Sequence, residues 1–298
     1  MAKLPYAKPA LSLEAQLQLL KNRGFVMEDE PKALHLLRQI SYYRLSAYWY
    51  PFLQDKKKHI FKPGASFDAA FRLYCFDREL RHLIQCELEK IEIAVRTQVI
   101  YVLSHRHGSF WFAQSNLFSN EVQYASTLEK IKHEHSRSDE SFIKTFNENY
   151  SDSLPPSWML LEIVSFGTLS QLYKNLKPGR EKRAIANSFG LSDSVFETWL
   201  HSIVYLRNVC AHHTRLWNRV MRIQPALPIT VARTWLLDPS VSNRQCYFMF
   251  SIICFLLDTV NPGHRFKQKL SALFSKYPQV DKRAMGFPDG WENEPLWE

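Results

Sequence analysis

The chain has 298 residues, a formal net charge of +9 and an apolar content of 46%, enough to bury one large core or two smaller ones. Its nine glycines are few, which argues against a turn-rich all-β fold, and no glycine-rich phosphate loop of the usual patterns occurs. The positive charge favours a polyanionic partner such as nucleic acid, although many basic proteins bind none. Charge alone leaves both interpretations open.

The cysteines and the apolar segments bear on the cellular compartment. Five cysteines without a C-x-x-C pattern predict neither a disulfide framework nor a cysteine-rich zinc site. Residues 1–10 lack the apolar stretch of a signal peptide, and the most apolar segment, 246–257, is shorter than the roughly 20 residues of a membrane span. We therefore expect a cytoplasmic protein with no membrane segment, no metal ion and no cofactor.

The N-terminal half of the chain has helical patterns. Ser12 is a good N-cap for a short amphipathic helix that ends near Gly24, and a second helix should cover about 31–41 with a proline in its first turn. From Ser66 onward, apolar residues recur at a spacing of three and four. This stripe predicts one helix that ends near Gly108 and is about 60 Å long.

The C-terminal half should also be helical, with breaks at prolines and glycines. A capping box from Ser194 to Glu197 predicts the start of a helix that reaches His212. The other helices are expected at 158–165 and 169–176, on either side of Gly167, and at about 182–189, 243–260 and 264–275. No segment has the alternating pattern of a strand, so we predict an all-α fold.

Polar residues cluster at the end of the helix that the capping box opens. Arg207, Asn208, His212 and His213 all lie in its last turns. Asn208 and His212 are four residues apart and share a face of the helix. Arg207 lies about 140° around the axis from His212, which a long side chain can span. His213 points to the other side.

This combination of residues suits cleavage of a phosphodiester. A histidine can move a proton near neutral pH, and an arginine can stabilise the negative charge that develops on phosphoryl oxygens. One histidine does not easily act as base and acid at once, but a two-fold dimer would bring two motifs together. The same residue types are also ordinary helix caps and dipole partners, so spacing alone does not decide.

The motif and its surroundings resemble a known group of proteins. R-N-x-x-x-H at the end of a late helix is similar to the nuclease signature of the HEPN superfamily. The wider chain resembles the Abi-like (AbiD/AbiF-type) abortive-infection proteins of that superfamily. The segments that carry this resemblance are Arg23–Gly24, Ile40–Tyr48, Phe76–Arg81, Ile91–Ile93 with Arg96, Leu154–Pro155 with Trp158, Ser165–Ser170, Leu206–Asn218 and Gly286–Pro288 with Trp291.

The resemblance implies an all-α, HEPN-like helical bundle with an N-terminal helical extension and a long central helix. We place the extension at 1–65, the HEPN-like domain at 66–225 and a C-terminal helical segment and tail at 226–298. Such proteins form homodimers with one composite site that cleaves RNA without a metal ion. The products carry 2′,3′-cyclic phosphate and 5′-hydroxyl ends. By this resemblance, Arg207 and His212 are catalytic, and Asn208 orients them.

Three further residues are candidates for a supporting role at this site. His213 is an alternative to His212 as the acting histidine. Glu92 and Arg96 are four residues apart on the long helix and have two interpretations. They form either a surface ion pair of little energetic value or part of the cleft beside Arg207.

Six residues of the N-terminal extension are candidates for RNA contact. Aromatic rings can stack on bases, and lysines can meet phosphates, but such residues more often pack in the protein or face solvent. The six candidates are Tyr42, Tyr43, Arg44, Lys56, Lys57 and Lys58.

Three functions remain open from the sequence. The first is an RNA-cleaving protein of antiphage defence, and the second is a non-catalytic RNA-binding module associated with a small non-coding RNA. The third is the toxin half of a toxin–antitoxin pair. Some HEPN toxins are silenced by nucleotide transfer onto a tyrosine two residues after the motif histidine, but Thr214 occupies that position here. The intact pair of Arg207 and His212 favours the nuclease.

Overall fold

The computed structural model describes residues 5–297. Twelve α-helices and one two-stranded antiparallel sheet make up its regular structure, which confirms the predicted all-α class. The helices are Leu13–Asn22 (α1), Glu30–Ile40 (α2), Tyr42–Trp49 (α3), Phe67–His107 (α4), Glu121–Ser136 (α5), Ser141–Asn149 (α6), Ser157–Leu160 (α7), Phe166–Asn175 (α8), Arg180–Asn187 (α9), Asp193–Ala211 (α10), Cys246–Val260 (α11) and Phe266–Lys276 (α12). The strands are Leu53–Asp55 (β1) and Ile60–Phe61 (β2).

None of the helices within residues 5–297 is both long enough and apolar enough to cross a membrane. The chain divides into two compact units, and the boundary between them falls within α4, after Leu80. The first unit contains the described residues up to Leu80 together with Leu273–Val280. The second contains Arg81–Ala272 and the described residues from Asp281 onward. The domain boundaries at residues 65 and 225 stay predictions.

The first unit is built from α1 to α3, the sheet and the beginning of α4. Ser12 caps α1 as predicted, since its Oγ accepts the N–H of Ala15 at 3.1 Å. The core of the first unit includes Phe25, which stacks on Phe61 with ring centroids 3.9 Å apart. A buried hydrogen bond of 2.6 Å from Tyr48 Oη to Asp77 ties α3 to α4.

The sheet corrects the expectation that the chain contains no strand. β1 and β2 have three and two residues and pair antiparallel across a short turn. Asp55 stabilises the turn, because its Oδ1 accepts the N–H groups of Lys57 and Lys58 at 2.8 and 3.0 Å. An alternation of apolar and polar residues cannot be recognised in strands of two or three residues. The side chains of Lys56, Lys57 and Lys58 are exposed on this turn.

Helix α4 covers 41 residues and confirms the predicted long helix. Ser66 caps it by accepting the N–H of Ala69 at 3.2 Å. Gly108 follows its last residue with a φ of +82°, the left-handed conformation that commonly ends a helix. Its predicted apolar stripe is fully buried at Phe76, Leu80, Ile84, Leu88, Ile91, Val95 and Val99.

In the second unit, every residue of α11 from Cys246 to Leu257 is buried. Helix α10 packs against α8, α9 and α11, and α5 packs against α8. One face of α10 remains exposed at His201, Asn208 and His212. This packing fixes the helix that ends in the polar motif while leaving the motif at the surface.

The start of α10 corrects the predicted capping box. Ser192, and not Ser194, is the N-cap, and its Oγ accepts the N–H of Val195 at 3.4 Å. With this start, Leu191 and Phe196 take the positions of a hydrophobic staple, and both are buried. Glu197, the expected partner in the box, instead forms an ion pair with Lys182 at 2.9 Å.

The region around Gly167 also differs from the prediction. Helix α7 ends at Leu160, and the chain turns irregularly until Ser165 caps α8 by accepting the N–H of Thr168 at 3.2 Å. Gly167 therefore lies in the first turn of α8 instead of separating two helices. The φ of Gly167 is not positive, so its backbone conformation does not call for a glycine.

Candidate functional site

The polar motif lies at a Schellman-type end of α10. His212 is the C-cap, and His213 follows in the left-handed conformation with a φ of +54°. The N–H of His213 donates to the carbonyl of Cys210 at 3.0 Å, and the N–H of Thr214 donates to that of Val209 at 3.1 Å. This is the hydrogen-bond pattern of the Schellman motif, in which glycine usually takes the left-handed position. A histidine there places some strain in the backbone.

The motif side chains differ in how far they reach solvent. Asn208, His212 and His213 are exposed, whereas 38% of the Arg207 side chain is accessible. The N–H of His212 donates to the backbone oxygen of Asn208 at 3.0 Å, so these two residues are stacked one turn apart. The exposed imidazole of His212 is thus available to a large substrate.

A carboxylate on α4 lies between two arginines. Arg96 Nη2 donates to Glu92 Oε1 at 3.0 Å, and Arg207 Nε is 3.6 Å from Glu92 Oε2. The Glu92 side chain is 16% exposed and that of Arg96 is 8% exposed. Ion pairs of this degree of burial are screened less by salt than surface pairs. Glu92 therefore has one oxygen for each arginine.

Arg96 fixes this carboxylate to the loop after α7. Its Nη1 donates to the backbone oxygen of Val164 at 2.9 Å and also to that of Leu161. These carbonyls lie in the irregular turn that follows α7, and their hydrogen bonds from Arg96 stabilise this turn where a continued helix was predicted. A planar guanidinium that contacts two carbonyls and a carboxylate has little freedom. Its orientation fixes that of Glu92, and Glu92 in turn faces Arg207.

The structure thus brings together four of the six predicted residues of the motif and its surroundings. Glu92, Arg96 and Arg207 form a continuous chain of ionic contacts. Arg207 Nη1 also lies 3.5 Å from Asn208 Oδ1, at the upper limit of a hydrogen bond. His212 follows one turn later on α10. Glu92 thus lies beside Arg207, and Arg96 is connected to Arg207 only through Glu92. A supporting role of Glu92 and Arg96 at the site stays a prediction.

One residue near the motif had no signal in the sequence. Arg219 approaches the exposed face of α10 from the chain that follows it. Its Nη1 donates to the hydroxyl of Tyr205 at 3.3 Å, and its Nε donates to the backbone oxygen of Arg215 at 2.6 Å. A further cation near the end of α10 strengthens the positive character of this surface.

The candidates for RNA contact all belong to the first unit, and their surroundings differ. Tyr42 accepts a hydrogen bond of 3.0 Å from Arg23 and packs edge-on against Trp49, as a structural residue does. Tyr43 is 88% exposed, and Arg44 is exposed as well. Lys56 lies over the ring of Tyr50 with Nζ 5.0 Å from its centroid. Tyr43 and the lysine turn therefore remain accessible to a partner.

Within residues 5–297, no group of three or more histidine, cysteine, aspartate or glutamate side chains is arranged to hold a metal ion. The motif contains three groups that could take part in a reaction: the exposed imidazole of His212, the guanidinium of Arg207 paired with Glu92, and the amide of Asn208. Proton transfer and stabilisation of anionic oxygens are the roles that these groups can fill.

The chain of ionic contacts gives a prediction about stability. Replacing Arg96 with alanine should lower the free energy of unfolding by about 3 kcal/mol, because two carbonyls lose their donor and the partly buried carboxylate of Glu92 loses a partner. Urea denaturation followed by circular dichroism measures this change. Arg106→Ala is the matched control on the same helix, since the Arg106 side chain is 62% exposed and its pair with Glu181 should contribute under about 0.5 kcal/mol. Equal effects of the two substitutions would contradict the anchoring role of Arg96.

Comparison with known proteins supplies the family. A family model described as Abi-like protein matches residues 35–218, a stretch that contains Glu92, Arg96 and the whole motif at the end of α10. Neither a curated protein nor a solved structure matches the chain. The family suggests a role in abortive-infection defence. Because the match covers well over half of the sequence, the chain belongs to the family of Abi-like proteins.

Proposed function

We propose that this protein is a HEPN-type, metal-independent endoribonuclease of antiphage abortive infection. The observation that carries the proposal is the contact between Glu92 and Arg207, one turn from the exposed His212. A partly buried carboxylate, anchored by Arg96, holds Arg207 in place, whereas no comparable contact constrains His212. Helix caps need no such anchor, so this arrangement favours a chemical role for Arg207 over a purely structural one.

The reaction follows from the chemistry of RNA. The 2′-hydroxyl loses its proton to a base and attacks the adjacent phosphorus, and the bond to the 5′-oxygen breaks as that oxygen gains a proton. The products are a 2′,3′-cyclic phosphate and a 5′-hydroxyl. His212 exchanges these protons, Arg207 stabilises the charge on the non-bridging oxygens, and Asn208 orients the two. No metal ion is needed to balance these steps.

The two proton transfers explain why we propose a homodimer. Base and acid must act on opposite sides of the phosphorus, and a single imidazole cannot be in both protonation states at once. A two-fold axis near the end of α10 would bring His212 and Arg207 of a second copy to the same phosphate. The composite site would then contain two histidines and two arginines.

A second candidate function is a non-catalytic RNA-binding module. The exposed Tyr43 and the lysine turn at Lys56–Lys58 favour it, because stacking and phosphate contact need no active site. We assign these residues to RNA contact in both candidate functions. The two functions therefore differ in whether bound RNA is cut.

The test is incubation of the purified protein with end-labelled single-stranded RNA in EDTA, followed by analysis of the product ends. We expect cleavage that leaves 2′,3′-cyclic phosphate and 5′-hydroxyl ends. Cleavage that requires added Mg²⁺, or that leaves 5′-phosphate ends, would contradict the proposed mechanism. Tight binding of RNA without any cleavage would favour the binding module.

The composite site is tested by mixing copies in the same assay. Wild type and His212→Ala protein are combined in equal amounts and allowed to exchange subunits. If both histidines serve one site, only wild-type pairs cut, and activity should fall to about one quarter of that of an equal total amount of wild type. If each copy acted alone, about one half would remain.

A further inference from the structure

A polar groove of about 470 Å³ lies in the second unit, beside the exposed face of α10. Its walls come from α5, α8 and α10, which contribute Lys130, Lys174, His201 and Asn208. The side chains of these four residues are exposed. On α10, Asn208 follows His201 by seven residues, so both lie on one face of the helix. This face leads directly toward His212.

The groove contains the beginning of α8. Ser165 and Gly167 line it, and the side chain of Ser165 already caps the N–H of Thr168. The first turn of a helix carries unpaired N–H groups and a partial positive charge, which favour an anion. Gly167 presents no side chain at this point, so a ligand can approach the backbone closely.

A nearly buried serine of α8 that opens into the same groove is the second, independent observation. Ser170 is only 7% exposed and lines the groove one turn after Gly167. Within residues 5–297 the Ser170 hydroxyl forms no hydrogen bond with the rest of the protein, and its oxygen is not one of the fully enclosed polar atoms, so it opens into the groove. A ligand that brings acceptor oxygens into the groove would satisfy it. Lys174 lies four residues further along the same face of α8 and would supply the charge.

The charges of the groove favour an anion. Lys130 and Lys174 are positive, and Glu134 is the carboxylate among the lining residues. Burial lowers the pKa of His201, and the charge of Lys174 lowers it further, whereas Glu197 acts in the opposite direction. Lys174 is thus close enough to act on His201, although desolvation is the larger cause of the lowered pKa.

We propose that this groove binds a backbone phosphate of the RNA strand that enters the cleavage site. Phosphate oxygens match the hydroxyl, the lysines and the first turn of α8, and they require no particular base. Asn208 lines the groove and also belongs to the motif. Its backbone oxygen accepts the N–H of His212, so His212 lies one helical turn beyond the groove. From His201 to His212 the distance along α10 is roughly 16 Å. This inference rests on the proposed nuclease function and adds the path of the substrate to it.

The experiment measures binding of a labelled single-stranded RNA by fluorescence anisotropy, with His212→Ala in every protein so that no RNA is cut. The double substitution of Lys130 and Lys174 by alanine should raise the Kd about ten-fold. It should also reduce the slope of log K against log salt by about one, because phosphate contacts are lost. The matched control replaces Lys132 and Lys177 by alanine, which removes the same charge outside the groove. The control should change the Kd less than about two-fold.

A third variant tests whether weaker RNA binding by the lysine variant results only from loss of folding. Glu134→Gln removes the carboxylate from the groove and should lower the Kd, a gain that a misfolded protein cannot produce. If the groove variants bind RNA like the control, the groove is not an RNA site, and the inference is wrong. Failure of the proposed function is seen separately, as the absence of RNA cleavage in proteins that retain His212.

Discussion

Replacing His212 with alanine should lower the rate constant of RNA cleavage by about 10² to 10⁴-fold, the usual contribution of a general acid–base. RNA affinity should change little, because the side chain is exposed and its neighbours are not anchored through it. The measurement is single-turnover cleavage at saturating protein, which separates the chemical step from binding. A variant that cleaves at the rate of the wild type would remove His212 from the mechanism.

His213→Gly is the matched control for this substitution. His213 has a φ of +54°, a conformation that glycine adopts without strain, so the end of α10 should keep its hydrogen bonds. We expect cleavage within about two-fold of the wild type, because the backbone at the end of α10 can keep its conformation. If His213→Gly instead removes cleavage and His212→Ala does not, the two histidines exchange roles.

Replacing Arg207 with lysine should lower the rate constant of cleavage by about 10² to 10³-fold. Lysine keeps the charge but has only one nitrogen, so it cannot contact Glu92 and a phosphoryl oxygen through separate nitrogens of one planar group. The contact of Arg207 Nε with Glu92 at 3.6 Å orients this group in the wild type. The loss should therefore appear in the rate constant and leave the affinity for RNA nearly unchanged.

The control for this second experiment is Arg222→Lys, which makes the same chemical change at an exposed arginine of the same unit. It should cleave RNA as the wild type does. If Arg207→Lys weakens binding while bound RNA is still cut at the wild-type rate, Arg207 only holds the substrate. Both variants should unfold at the same denaturant concentration as the wild type to within a small shift.

Local signals in the sequence predicted the helices well where caps and stripes agree. Ser12 and Ser66 mark helix starts, Gly108 marks an end, and the stripe between the last two has no interruption over 41 residues. Each of these features acts within a few residues, so no knowledge of the tertiary structure was needed.

The sequence-based predictions were wrong where tertiary contacts determine where a helix begins or ends. Ser192 and Ser194 are both good caps, and the position of Leu191 in the core favours the first. The turn after Leu160 is stabilised by hydrogen bonds that its carbonyls accept from Arg96, a residue more than 60 positions earlier in the chain. No local pattern contains that information.

The candidate site was predictable only in part for the same reason. Arg207, Asn208 and His212 lie on one helix, and their spacing places them together. The sequence left open whether Glu92 is a surface residue or a neighbour of Arg207, since that depends on how α4 packs beside α10. The groove beside Asn208 had no signal, because the residues that line it come from three separate helices.

The order of these contacts along the chain has a consequence for protein synthesis. The acceptors of Arg96 come 65 and 68 residues after it, and Arg207 follows Glu92 by about 115 residues. At roughly 5–20 residues per second, a ribosome needs about 6 to 23 s between Glu92 and Arg207. A nascent chain that has not reached α10 lacks both Arg207 and His212. Under the proposed function, the messenger RNA that is being translated therefore meets a complete site only after α10 has been synthesised.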